Sequence, residues 1–283
     1  MARFTNQAQL RYGNAIANSN IAVGEILEVL SATKTAVRKN YGRNDMITYL
    51  VSVVNAGNTA FTGLTLTDNL GAYVYDTQTL VPLRYIDGTV KYYSNGTLQA
   101  APAVTAGPPL VISGLTVPAN GSILIAYETD VNEYAPLDVE AEIVNTATIR
   151  GTGITPVTVQ ETVSAGSEPI LTITKSISPV PVTENGTLTY TFLIQNTGNV
   201  AVEEAAASVV TDQFNPILSN LTVTFNGTAW AETTNYIYNE DTGLFSTVPG
   251  QITVPAATFA QDELTGAWNV TPGVSTLVIT GTI

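Results

Sequence analysis

The chain has 283 residues and contains no cysteine and no histidine. The first absence excludes disulfides and thiolate chemistry, and the second removes the usual general base of serine and cysteine hydrolases. Together they exclude His/Cys zinc sites. Charge is also scarce: 12% of residues are Asp, Glu, Lys or Arg, and ten basic against 23 acidic residues give a formal charge of −13. Such a surface disfavours nucleic acid and anionic lipid as partners. No apolar run approaches the roughly 20 residues that a membrane-spanning helix needs. The start, Met1-Ala2-Arg3-Phe4-Thr5-Asn6, is polar, with no apolar h-region behind it. The expectation is a chain without a Sec signal peptide, inserted in no membrane, using no metal or cofactor, and not an enzyme for want of an assembled catalytic set.

What is present is 45% apolar residues, 22 Gly and 14 Pro, with many uncharged polar and β-branched positions. That balance reads as all-β. The chain also repeats itself. Residues 33–61 align without a gap to 174–202: Thr33-Lys34 with Thr174-Lys175, Thr48-Tyr49 with Thr189-Tyr190, and Asn55-Ala56-Gly57-Asn58 with Asn196-Thr197-Gly198-Asn199. After a three-residue insertion Leu66-Thr67-Asp68 matches Val210-Thr211-Asp212, and near the end Ser122-Ile123-Leu124-Ile125 matches Ser275-Thr276-Leu277-Val278. A repeat of this length is one domain written twice.

Within each copy, short alternating runs such as Ile47–Val54 and Leu188–Gln195 end at turn residues. Asn-Gly pairs at Asn95, Asn120, Asn185 and Asn226 mark tight turns. The pattern predicts two tandem immunoglobulin-like β-sandwich domains, at 25–165 and 166–283, preceded by an N-terminal donor strand and flexible tether over 1–24. Val202–Ala207 alone has a helical composition and is read as a bulged strand edge or a single turn.

The strings Leu188-Thr-Tyr-Thr-Phe-Leu-Ile-Gln-Asn-Thr-Gly-Asn199 with Val210-Thr211-Asp212, Leu171-Thr-Ile-Thr-Lys175-Ser176, and Val144-Asn145-Thr146-Ala147-Thr148 resemble the "domain of unknown function eleven" repeat of bacterial and archaeal surface proteins. The resemblance covers about residues 26–283. It implies immunoglobulin-like sandwiches strung along cell or spore surfaces, with no single activity attached.

The two copies end differently. The first runs on through Val139–Arg150, whereas the second stops before its own Asn-Thr-Ala strand. A sandwich without that strand exposes an edge and a stripe of core. Asn6-Gln7-Ala8-Gln9-Leu10-Arg11 reads against Asn145-Thr146-Ala147-Thr148-Ile149-Arg150, which makes the N-terminus a donor strand with Phe4, Asn6, Ala8, Leu10 and Tyr12 on its inserting face. The acceptor edge is assigned to Leu277, Ile279 and Ile283. The 12-residue tether at 13–24 reaches roughly 40 Å at most, about one domain length, so donation to the next chain is favoured over folding back. Head-to-tail donation propagates as a filament. A disordered arm beside a shortened final domain is the competing reading.

Each copy then holds a trio: Lys34, Asp68 and Asn145 in the first, and Lys175, Asp212 and a neighbour's Asn6 in the second. The trio resembles the arrangement in Gram-positive pilin and adhesin domains that form a Lys–Asn isopeptide bond autocatalytically. There, an acidic residue stands between Lys and Asn, more often Glu than the Asp found here. Burial lowers a lysine pKa and raises a carboxyl pKa, so a neutral amine can attack an amide polarised by a protonated acid. Solvated lysines, a turn-capping Asp and edge asparagines are the alternative.

Asp130–Glu133 and Asn239–Asp241 lack the spacing of a Ca²⁺ loop. Trp230, Trp268, Tyr236 and Tyr238 suit either packed strand ends or a carbohydrate platform. The sequence is therefore read as a structural subunit of an extracellular or spore-surface fibre whose partner is itself, with any anchoring protein unidentified. An adhesive or ligand-binding module of a longer surface stalk is the runner-up.

Overall fold

The computed structural model describes residues 2–26 and 28–283. An N-terminal arm holds β1 (Ala2–Asn6), β2 (Gln9–Tyr12), β3 (Ala15–Asn18) and β4 (Ala22–Ile26). Then come β5 (Leu30–Ala36), β6 (Asn40–Tyr41), β7 (Met46–Asn55), β8 (Phe61–Asp68), β9 (Tyr73–Tyr75), β10 (Gln78–Leu80) and β11 (Leu83–Tyr85). Next are β12 (Lys91–Ser94), β13 (Thr97–Leu98), β14 (Ala103–Thr105), β15 (Leu110–Val117), β16 (Gly121–Val131), β17 (Glu142–Arg150) and β18 (Val157–Ala165). The remainder holds β19 (Leu171–Ser178), β20 (Thr187–Asn196), β21 (Thr211–Gln213), β22 (Ser219–Phe225) and β23 (Thr228–Trp230). It ends with β24 (Tyr236–Asn239), β25 (Leu244–Thr247), β26 (Thr258–Gln261), β27 (Trp268–Thr271) and β28 (Gly273–Thr282). Among the described residues the one helical piece is a 3-10 turn at Glu204–Ala206. It is the single turn that the run at 202–207 allowed for.

The chain forms two compact units, one built mainly from residues 44–132 and 143–163 with the arm, the other mainly from 164–283. Both grow from alternation. In β7, Ile47, Tyr49, Val51 and Val53 point inward, and in β20, Leu188, Tyr190, Phe192 and Ile194 do. The first sheet of the first unit has the order β13-β12-β16-β7-β5, and that of the second has β23-β22-β28-β20-β19, the same topology strand for strand. Asn95-Gly96 and Asn226-Gly227, all with positive φ, close the equivalent hairpins β12–β13 and β22–β23.

The repeated Asn-x-Gly-Asn motif is a clamp. Asn55 Nδ2 donates to the carbonyls of Thr59 (2.8 Å) and Pro118 (2.9 Å), while its Oδ1 accepts from Gly57 N (2.9 Å). Asn196 does the same with Val200 (2.7 Å), Pro255 (3.0 Å) and Gly198 N (2.9 Å). Asn196→Ala orphans these buried groups and is expected to cost about 2–4 kcal/mol of stability. Denaturant unfolding of the full chain reads this as an earlier transition, and an unchanged midpoint would remove the clamp from the account.

The pairings also correct an alignment. Gly121 faces Asn55, and Gly273 faces Asn196, so Tyr127 corresponds to Ile279, one residue away from the match made on Ser122 and Ser275. A one-residue slip exchanges the two faces of a strand, and the buried set Leu277 and Ile279 aligns with Ile125 and Tyr127.

In the second sheets the units part. The first unit has β14-β15-β8-β17-β18, whereas the second has β24-β25-β21. β8 is paired on both sides, by β15 and β17. Its counterpart β21 pairs with β25 alone among the described residues. This corrects the acceptor assignment. Leu277 and Ile279 are buried in β28, a strand paired by β20 on one side and β22 on the other, and Ile283 packs against the same core. The free edge belongs to Thr211–Gln213, because the strand without a counterpart lies in the opposite sheet.

The arm is corrected too. Residues 13–24, expected as a flexible tether, contain strands. β4 pairs back on β1 (Asn6 opposite Ala22) and β3 on β2 (Tyr12 opposite Ala15). The two-residue turn Gly13-Asn14, with Gly13 at φ +55°, closes this hairpin. The side chains described along it are exposed almost throughout.

Candidate functional site

The first-unit trio meets inside the sandwich. Lys34 comes from β5 in one sheet, while Asp68 ends β8 in the other. Asn145 lies on β17, which pairs beside β8 with Ala147 opposite Asp68. Lys34 Nζ stands 2.6 Å from Asp68 Oδ2, and both side chains have 0% exposure. Asp68 is held further: Leu70 N donates to Oδ1 at 2.9 Å, and the Tyr127 hydroxyl donates to Oδ2. The Lys34 ammonium also sits 4.8 Å from the centre of the Tyr49 ring.

Burial pulls the Lys34 pKa down to about 8, against the opposing attraction of Asp68 and Glu161. The Tyr127 phenol is pushed well up, by its burial first and by Asp68 second. Asn145 is fully buried, yet neither Nδ2 nor Oδ1 makes a hydrogen bond. The amide is close enough to Tyr127 to temper that phenol's shift, but not in hydrogen-bonding geometry. A primary amide left idle in a core costs roughly 1–3 kcal/mol for each unsatisfied group. Here it shares the core with an easily neutralised amine and a carboxyl group, a set able to exchange one amide for another.

Sequence reasoning missed Tyr127 and Tyr49. They face each other across β16 and β7 with rings stacked 5.7 Å apart. The signal was their shared parity with the buried positions, which for Tyr127 was hidden while its strand was aligned one residue out.

The second unit holds the same ion pair in another setting. Lys175 contacts Asp212 Oδ2, but the side chains are 37% and 17% exposed. The ammonium lies 4.3 Å from the Tyr190 ring centre, and 5.4 Å from those of Phe192 and Phe214. β19 is exposed along its whole length, including Ile173 and Ile177, although its counterpart β5 buries Lys34 and Ala36. Asn6 is exposed in the arm, opposite Ala22. The structure thus puts Lys34 in contact with Asp68, buries Asn145 in the same core beside Tyr127, which bonds Asp68, and pairs Lys175 with Asp212.

The remaining motifs are absorbed by packing. Trp230 stacks on Phe225 (4.9 Å), Tyr236 stacks on Phe245 (5.4 Å), and the Tyr238 hydroxyl donates to the Leu218 carbonyl at 2.8 Å. Asn239 Oδ1 accepts from the backbone of Asp241 and Thr242, and Asp130 pairs with Arg84.

No family model and no curated protein matches the chain. Among solved structures it is similar to the major pilin subunit of Bacillus cereus, with 12% identity, 96% of this chain and 73% of that one covered, and a TM-score of 0.36. It is similar to the pilus backbone of Streptococcus pneumoniae at 13% identity, covering 86% and 55%, with a TM-score of 0.36. The full-length major pilin of Corynebacterium diphtheriae gives 13%, 86% and 59%, also with a TM-score of 0.36. The chain spans about half the length of the pneumococcal protein.

Proposed function

We propose that the chain is the structural subunit of a self-assembling fibre, in which residues 4–12 of one copy complete the second unit of the next. One observation carries this reading. β17 buries Ile143, Asn145, Ala147 and Ile149 on its inward face, and the arm presents Phe4, Asn6, Ala8 and Leu10, all exposed, at the same spacing. Phe4 is 54% and Leu10 64% exposed. The edge that β17 occupies in the first unit is the one left free along β21.

Bulk is redistributed consistently. Gly151 follows β17 and lies against Leu64, whose Cδ2 would be 2.3 Å from an added Cβ. The arm has Tyr12 at the position of Gly151, and the stretch replacing Leu64 offers Ala205, Ala206 and Ala207. What the acceptor lacks, the donor supplies.

Once seated, Asn6 would stand to Lys175 and Asp212 as Asn145 stands to Lys34 and Asp68. The chemistry is the same in both. Lys Nζ forms a bond to the Asn Cγ, the Cγ–Nδ2 bond breaks, and the nitrogen leaves as ammonia. The Asp relays one proton from the attacking amine to the carbonyl oxygen, and later relays that proton from the oxygen to the departing nitrogen as the C=O re-forms. Asp ends as it began, and no cofactor takes part. This reading agrees with the resemblance to surface-protein repeats, and it places the fibre outside the cell or on a spore.

The test compares the full chain with a chain lacking residues 2–20. Fibres are expected by negative-stain microscopy from the first and monomers from the second. Fibres from both, or monomers from both, would end the proposal.

A further inference from the structure

We infer that the donated element is the whole arm hairpin, β1 to β4, so that two strands are added beyond β21. This rests on the fibre reading above and sharpens what passes between copies.

Beyond β8 the first unit carries two strands, β17 and then β18, and β21 has neither beside it. Two contacts set the register of β17 on β18: Ala165 N donates to the Ala141 carbonyl at 2.7 Å, and the hydroxyls of Thr148 and Thr158 meet at 3.1 Å. The arm matches that register at β2 and β3 and shifts by one residue between there and β1 and β4. Asn6 stands where Asn145 does, and Gln9 where Thr148 does. Gln9 faces Asn18, with Nε2 donating to Oδ1 at 3.2 Å, as Thr148 faces Thr158. The connection between the paired residues is one residue shorter in the arm.

The side chains between the strands match as well. Counting out from Thr148 and Thr158 puts Ile143 opposite Val163, both buried. In the arm the one-residue shift between β2–β3 and β1–β4 puts Phe4 opposite Gly24 instead of Val23. A Cβ on Gly24 would lie 2.3 Å from the Phe4 Cζ, so the ring already fills the space over the glycine. Two medium side chains become one large one and none, with the bulk conserved across the pair.

A single inserted strand would have to shed its partner and re-form an edge of unpaired amides and carbonyls. The intact hairpin keeps its internal pairing, and its return strand becomes the new sheet edge. That edge is interrupted at Ser19-Asn20-Ile21. Interruption of this kind discourages a further strand from adding sideways.

An absence in the sequence makes the test clean: with no native cysteine, two introduced thiols have only each other. Gln9→Cys with Asn18→Cys places a pair on the outward face of the arm, where oxidation locks β2 to β3. If the hairpin moves as a unit, oxidised and reduced proteins polymerise at the same rate by light scattering. Polymerisation only after reduction would show a single strand entering and overturn this inference, while leaving the fibre reading intact. Equal polymerisation by the chain lacking residues 2–20 would overturn both. A second lock, Thr5→Cys with Val23→Cys, acts at the other end of the ribbon and must give the same answer.

Discussion

A chain carrying Phe4→Asp and Leu10→Asp is expected to remain monomeric at concentrations where the unaltered chain forms fibres. A chain carrying Thr5→Asp and Gln9→Asp is expected to polymerise normally. The contrast follows from the period-2 alternation of a strand. Phe4 and Leu10 share parity with Ile143 and Ile149, which are buried against the first-unit core. Thr5 and Gln9 share parity with Val144 and Thr148, which are not. Two carboxylates driven into an apolar seat at about 3 kcal/mol each would weaken association by roughly four orders of magnitude. Both pairs add the same charge to an already acidic chain, so general repulsion cannot produce the difference. Sedimentation velocity decides it. Equal behaviour of the two variants would mean that the arm does not enter by this face.

The second large effect concerns Lys34 and Asn145. The folded chain is expected to weigh one ammonia less than its sequence mass for this bond, and Asn145→Ala or Lys34→Ala to abolish the deficit. The bond closes a loop of about a hundred residues, a constraint that contributes roughly 4–5 kcal/mol. Losing it should lower the unfolding temperature by about 10 °C or more. An unaltered chain at full sequence mass would sink the idea.

The pH dependence of the reaction has a definite sign. Attack needs a neutral amine beside a protonated carboxyl, which is the ammonium–carboxylate pair with one proton moved across the 2.6 Å contact. That shift changes no net protonation. The rate after refolding should therefore be flat through neutrality and fall once the pair loses its proton, at the Lys34 pKa of about 8. A rate that instead rose towards pH 8 would mean free amine attack without help from Asp68. Asp68→Ala is expected to stop the bond while leaving Lys34 and Asn145 in place.

Much of this was legible before any coordinates. Asn55 and Asn196 announced the repeat because each has to clamp the same turn, and local hydrogen-bond chemistry is written locally. Lys34 and Asp68 could be paired by eye with Lys175 and Asp212 for the same reason. The arm's likeness to β17 was visible as Asn6, Ala8 and Leu10. Tyr127 was not legible, because matching Ser122 to Ser275 moved β28 by one residue and turned its buried face outward. Nor was the hairpin at 13–24. Its Gly13-Asn14 turn is plain afterwards, but composition alone reads Gly, Asn, Ala and Ser as slack.

By itself, then, the absence of cysteine determined that no disulfide staples this chain. The repeat set Lys34 and Asp68 in correspondence with Lys175 and Asp212. Only the tertiary structure decided where the open seam lies. Leu277 and Ile279 look terminal in sequence, yet they sit in a strand paired on both sides, while Thr211–Gln213, well inside the chain, is the edge. Edge and centre are set by which strands become neighbours, through pairings remote in sequence, and so are burial and pKa. One Lys–Asp pair is therefore sealed at 0% exposure while its twin stands open at 37% and 17%.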